Sequence, residues 1–184
     1  MEDEAPHDYL RRLPKGWYTG RAWVHWSMTI EGRKQGWLDN SFHARTREIL
    51  LHTASRHHLV CPAYCLMPDH AHFLWMGIAQ DSDLLAAAAF FRRHLNQALR
   101  ESNVCFQKQA YDHVLNEDER NPDAFEDTVI YILKNPERAG LVEAWRDWPH
   151  LGASAVGYPD TDPRGKDWRE RFWKIHHKEV GRFK

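Results

Sequence analysis

Leu59 to Gly77 is an apolar run interrupted by Pro68-Asp69 and by two histidines, His70 and His72, and it constrains the fold more than any other stretch. Leu59–Met67 and His70–Gly77 each have the length of a strand, and Pro-Asp is a turn pair, so the segment predicts a β-hairpin. On a strand, His70 and His72 project from one face, with Cα atoms roughly 6.6 Å apart. Two imidazoles so spaced can converge on one divalent cation. Buried histidines can also satisfy each other or backbone carbonyls, so the pair alone leaves both readings open. A zinc site adding Cys61 and Cys65 is disfavoured, because four residues of extended chain separate them by about 13 Å.

The rest of the chain fits around this hairpin. Ala22, Val24, Trp26, Met28 and Ile30 alternate with Arg21, His25, Ser27 and Thr29, which predicts a half-buried strand. Asp39, Asn40 and Ser41 are capping candidates for a first helix carrying Phe42, Ile49, Leu50 and Ala54 on one side. Asp81-Ser82-Asp83 can cap a second helix, whose stripe is Leu84, Leu85, Ala88, Phe91, Leu95 and Leu99. Tyr111–Leu115 reads as a fourth strand. A third helix starts at Asn121 or Asp123 and ends at Lys134 or Asn135, because Pro136 disfavours helical geometry in the residue before it. The order β-α-β-β-α-β followed by a helix predicts an α+β fold. Its form is a ferredoxin-like antiparallel sheet with helices on one face, plus a C-terminal tyrosine-bearing helix. Residues 1–17 read as an N-terminal arm, 18–145 as the main domain and 146–184 as a C-terminal extension ending in a short basic helix, Trp168 to Val180.

Charge is uneven along the chain. Arg11 to His58 holds nine Lys/Arg against three Asp/Glu, and Arg164 to Lys184 eight against three. Asp112 to Asp127 holds seven acids and one base. Two basic segments around an acidic one suit a nucleic-acid groove and equally suit solvated faces. No apolar run approaches the roughly 20 residues of a membrane-spanning helix. The acidic start, Met1-Glu-Asp-Glu, is unlike a secretory leader, and the three cysteines suit a reducing compartment, so the expected location is the cytoplasm.

The second constellation runs from Tyr131 to Val142. On a helix, Tyr131 and Asn135 share a face at i and i+4. A tyrosine hydroxyl is a nucleophile, with a free pKa of about 10 that must be overcome during attack. An amide oxygen is a third candidate ligand beside two imidazoles. Together the two constellations hold the parts of a phosphodiester transesterase.

Met67-Pro-Asp-His-Ala-His-Phe-Leu resembles the M-P-N-H-x-H-x-L signature of the single-tyrosine HUH transposases. Tyr131-Ile-Leu-Lys-Asn-Pro-Glu-Arg-Ala-Gly-Leu-Val resembles the Y-I-x-x-N-P-x-R-A-G-L-V segment of their REP-associated branch, and Tyr111-Asp-His-Val-Leu is similar to the segment preceding the tyrosine helix there. The resemblance covers about residues 18 to 145, with Asp69 departing from the commoner asparagine. It implies His70, His72 and Asn135 as ligands of Mg²⁺ or Mn²⁺ and Tyr131 as the nucleophile. It further implies a metal-dependent nickase or strand transferase acting on single-stranded DNA near hairpins or palindromic repeats, through a 5′-phosphotyrosine intermediate. Arg45, Arg47, Arg92, Arg93 and Arg138 are candidates for DNA contacts, and the chain would work as a monomer or homodimer. Two other classes stay open: a domesticated hairpin-DNA-binding protein without turnover, and a metal-dependent phosphoesterase using activated water.

Overall fold

A computed structural model describes residues 12–159 and 161–183. The alternation of β1 (Trp23–Thr29) buries Val24, Trp26 and Met28 on one side, as the sequence predicts. Asp39 caps α1 (Asn40–His57), accepting a hydrogen bond from the Phe42 amide at 2.7 Å. Its buried positions, Phe42, Thr46, Ile49, Leu50, Thr53 and Ala54, follow helical spacing. His58 ends the helix in the left-handed region (φ 50°), and the chain enters the predicted hairpin of β2 (Leu59–Leu66) and β3 (His70–Gly77). Asp83 caps α2 (Leu84–Ala98) through the Ala86 amide. Of the expected stripe, Leu85 is only half-buried, and Ala87 takes its place inside.

β4 (Tyr111–Val114) is followed by α3 (Pro122–Leu133), capped by Asn121 through the Asp123 and Ala124 amides. The helix breaks at Lys134, and a single further turn, α4 (Asn135–Arg138), carries Pro136 near its start, where no intrahelical N–H is needed. Sequence reasoning ends the helix here and misses that turn. It also misses β5 (Leu151–Ser154), while α5 (Trp168–Arg182) extends slightly beyond the predicted terminal helix.

The sheet is antiparallel, in the order β4-β1-β3-β2-β5. The α1 and α2 helices lie on one face, over Trp26, Phe73 and Trp75, with Phe91 of α2 packed edge-on against Phe73 and Trp75. The opposite face is covered as well. Trp23, Leu74 and Met76 pack there under Phe125, Val129, Ile132 and Leu133 of α3, with Trp168 and Phe172 of α5. The expectation of helices on one face thus holds for α1 and α2, whereas the tyrosine helix and α5 form a second layer. A sheet whose two faces are both apolar needs cover on both, since each fully buried large apolar side chain is worth about 1.5–3 kcal/mol. The segment expected as a C-terminal extension supplies one edge strand and part of this layer. The expected N-terminal arm falls largely on residues outside the described ones; within it, Lys15–Tyr18 is a turn of 3-10 helix that delivers Tyr18 to the core.

β2 holds Pro62 although it is paired on both sides. A bulge shifts the register between Val60 and Ala63 against β3, and between Cys61 and Tyr64 against β5. Leu59, Cys61, Tyr64 and Leu66 consequently face α1 and α2, while Val60, Ala63 and Cys65 face α3. Cys61 and Cys65 therefore lie in different layers, which removes the zinc reading.

Candidate active site

The hairpin turn is held from several sides. The Met67 amide donates to the His70 carbonyl at 2.7 Å, the Ile30 amide to the Asp69 carbonyl at 2.9 Å, and the Trp37 indole to the Pro68 carbonyl at 2.6 Å. His70 and His72 follow on the face under α3. Their Nε2 atoms stand 3.1 Å apart. His70 Nδ1 donates to Asp69 Oδ1 at 2.6 Å, and the other carboxylate oxygen accepts from Arg33 at 2.8 Å. His72 Nδ1 faces His25 Nε2 at 3.1 Å. That diagonal contact follows from the β1–β3 register, in which Ser27 is opposite His72 and Thr29 opposite His70. The result is one hydrogen-bonded row: Arg33, Asp69, His70, His72, His25.

Burial penalises charge along this row. His72, 7% exposed, has its pKa lowered to about 3, by burial first and then by His25, His70 and Arg138. His25 is lowered to about 4 by burial and by His113, its β4 neighbour. Burial alone would raise the Asp69 carboxyl, but the hydrogen bonds from His70 and Arg33 carry it below the usual range. At neutral pH, His25 and His72 are thus uncharged, the form in which imidazole can ligate a metal.

α3 presents Tyr131 over this row. Its ring stands edge-on to His25, at 5.9 Å between centroids, and to His72, at 6.2 Å. It remains 44% exposed, so a substrate can reach it. Its helical neighbours Ile132 and Leu133 are buried and hold the helix down. Arg138, from α4, lies 4.6 Å over the Tyr131 ring. Asn135 turns its amide nitrogen back onto the end of α3, donating to the Tyr131 carbonyl at 2.8 Å and the Ile132 carbonyl at 3.2 Å, which leaves Oδ1 as its remaining ligating atom.

Two nitrogens 3.1 Å apart fit adjacent coordination positions on one ion, because bonds of about 2.1 Å separated by about 95° span that distance. Among the described residues no group of three or more His, Cys, Asp and Glu could hold a metal. His70 and His72 thus offer two nitrogen donors to one ion, and the described His, Cys, Asp and Glu side chains offer no third beside them.

The fold brings together His70, His72, Tyr131 and Arg138. It does not bring the other candidate arginines to them. Arg45 pairs with Glu48 on α1 at 2.7 Å, and Arg47 lines a cleft with Ser154 and Tyr158 near β5. Arg92 and Arg93 join Arg56 in a groove of about 620 Å³ around Phe90, on the α1–α2 layer across the sheet from α3. Sequence reasoning missed His25, Asp69 and Arg33 as partners of the site. His25 gave a signal: it is the imidazole on the polar side of an alternating strand.

Among the described residues no helix is long and apolar enough to cross a membrane. No protein-family model matches the chain. A protein of Haemophilus influenzae named as a REP-associated tyrosine transposase is 24% identical over 171 residues, covering 83% of this chain and 91% of its own. Among solved structures, a REP-associated tyrosine transposase bound to a REP hairpin superposes with a TM-score of 0.62 and 21% identity, over 78% of this chain and 81% of that one. The resemblance to REP-associated tyrosine transposases carried by the two motifs is thus borne out over most of the chain, in sequence by the first protein and in fold by the second.

Proposed function

We propose that the chain is a metal-dependent nickase and strand transferase for single-stranded DNA beside a hairpin, working through Tyr131. The observation that carries this reading is a solvent-accessible tyrosine standing edge-on to the buried His72, whose Nε2 lies 3.1 Å from that of His70. His70 and His72 would hold Mg²⁺ or Mn²⁺, with Asn135 Oδ1 as the third protein ligand. Imidazole ligands favour Mn²⁺ of the two. When bound, the cation supplies Lewis-acid polarisation of the scissile phosphate.

Tyr131 attacks phosphorus in line. The new bond joins its oxygen to phosphorus, the bond to the 3′-oxygen breaks, and the phenol's proton is balanced by the one the leaving 3′-oxygen takes up. The products are a 5′-phosphotyrosine and a free 3′-hydroxyl, and attack by a 3′-hydroxyl reverses the step without a nucleotide cofactor. Arg138, already over the ring, brings positive charge to where the attacking oxygen meets the phosphate. Arg56, Arg92 and Arg93, which have no ion-pair partner among the described residues, are suited to backbone contacts away from the site. The hairpin partner is suggested by the solved relative, which is bound to a REP hairpin.

The test is incubation of labelled hairpin DNA carrying single-stranded flanks with Mn²⁺ and either the native chain or Tyr131→Phe. The native chain is expected to give a denaturation-resistant protein–DNA adduct, and the variant none. Cleavage that survives in Tyr131→Phe without an adduct would assign the reaction to activated water. Hairpin binding that persists in EDTA, without cleavage under any divalent metal, would make the chain a binding protein only.

A further inference from the structure

We propose that His25, with Asp69, is a positioning residue for the histidine pair, holding both rings so that their Nε2 lone pairs can point to one cation; the inference rests on the metal reading above. An imidazole that ligates through Nε2 carries its proton on Nδ1 and needs an acceptor there. For His70 that acceptor is Asp69, itself fixed by Arg33. For His72 it is His25. The His25 ring also stands edge-on to Tyr131, so one side chain touches both a ligand and the nucleophile.

The row of hydrogen bonds has a definite order when no cation is bound. In the His70 tautomer protonated at Nδ1 alone, which donates to Asp69, Nε2 carries a lone pair and accepts the Nε2 proton of His72. His72 Nδ1 then has a lone pair and accepts the Nε2 proton of His25. With a cation on both Nε2 atoms, His72 must instead carry its proton on Nδ1 and donate it to His25. His72 loses a proton at Nε2 and gains one at Nδ1, and His25 does the same. The rings remain neutral in both states, with no net proton uptake or release. The partner of His72 must therefore both accept and donate at one place. Imidazole does so by changing tautomer, a glutamine side chain can do so by rotating its amide, and phenylalanine can do neither.

The experiment measures Mn²⁺ binding to the purified metal-free chain by calorimetry, with free Mn²⁺ followed by electron paramagnetic resonance. Native protein is compared with His25→Phe, His25→Gln, Asp69→Ala and a double His70→Ala/His72→Ala variant. His25→Phe and Asp69→Ala are each expected to weaken Mn²⁺ binding about 10- to 100-fold, with His25→Gln restoring most of the loss. Histidine ¹⁵N spectra of the metal-free native chain are expected to show His70 protonated at Nδ1 and His72 at Nε2. Near-UV dichroism checks that the variants fold, and Asp69→Ala tests the same idea from the other ring should His25→Phe unfold. The inference is overturned if the double variant abolishes binding while His25→Phe and Asp69→Ala both bind like the native chain. If the native chain binds no better than the double variant, the metal reading itself fails and takes this inference with it.

Discussion

Taking the metal-free protein from pH 7 to pH 5 is expected to remove a large share of its stability, through histidines that the fold keeps neutral. His25, His43 and His176 have pKa values lowered to about 4, and His72 to about 3, in each case by burial first. In the unfolded chain the same side chains titrate near 6.5. Below that pH the unfolded chain binds protons that the folded chain refuses, so stability falls as pH falls, and the loss ends only when the folded values are reached. Between pH 7 and 5 each such histidine contributes about 1.8 kcal/mol of loss, hence about 7 kcal/mol for these four. The figure hardly depends on whether a folded value is 3 or 4, because both lie below the window. Asp69, Asp83 and Glu119, whose pKa values are lowered, withdraw their stabilisation only through their unfolded values near 4, below the same window. A domain stable by about 5–15 kcal/mol would then lose from about half of its stability to all of it by pH 5. Urea denaturation in EDTA, followed by tryptophan fluorescence at half-unit pH steps, measures the curve. His43→Gln can keep a hydrogen bond to the Tyr64 hydroxyl, now made by His43 at 2.9 Å, and is expected to shrink the pH-dependent loss by about 2 kcal/mol. A total loss under about 2 kcal/mol would show that these histidines take up protons in the folded chain after all.

Other expectations follow from single contacts. A Cβ at Gly77 would lie 2.0 Å from the Gly20 carbonyl oxygen, so Gly77→Ala must push apart two backbone segments; thermal denaturation should register a loss of at least about 3 kcal/mol, or no soluble protein. Asn121→Ala removes the cap of the tyrosine helix and should cost about 1 kcal/mol in urea denaturation, with little effect if the cap is unimportant to folding. The double change Arg92→Gln/Arg93→Gln should leave the protein folded and reduce the slope of log binding constant against log salt by about 1.4 to 1.8 for hairpin DNA; an unchanged slope would remove this groove from the DNA path.

Local signals made much of the fold readable. Alternation located β1, the apolar run located β2 and β3, and Asp39, Asp83 and Asn121 marked three helix starts. Signals that depend on partners were not readable. Leu151-Gly-Ala-Ser154 has neither alternation nor β-branched side chains, and it becomes a strand only because β2 offers an unpaired edge. The terminal helix reads as basic, and its apolar pair Trp168 and Phe172 finds its purpose only against Phe125. Helical spacing showed that Arg92 and Arg93 face outward, but not which side of the sheet their helix covers. The catalytic candidates His70, His72 and Tyr131 were legible because each motif is contiguous. His25 was not, since its contact with His72 is set by register between strands distant in sequence.

The bulge at Pro62 works as a phase shift within one strand. Side chains before it and after it keep opposite parity, so the strand can send Leu59 and Cys61, then Tyr64 and Leu66, toward the same helices. Without the bulge, the strand at its present length would exchange Tyr64 with Cys65 between layers, driving a phenol ring into the side where His72 lies and leaving a gap beneath α1. The extra residue and the bulge that absorbs it therefore go together: deleting Pro62 removes both and should keep each side chain in its layer, whereas a single deletion elsewhere in β2 that leaves the bulge in place should not.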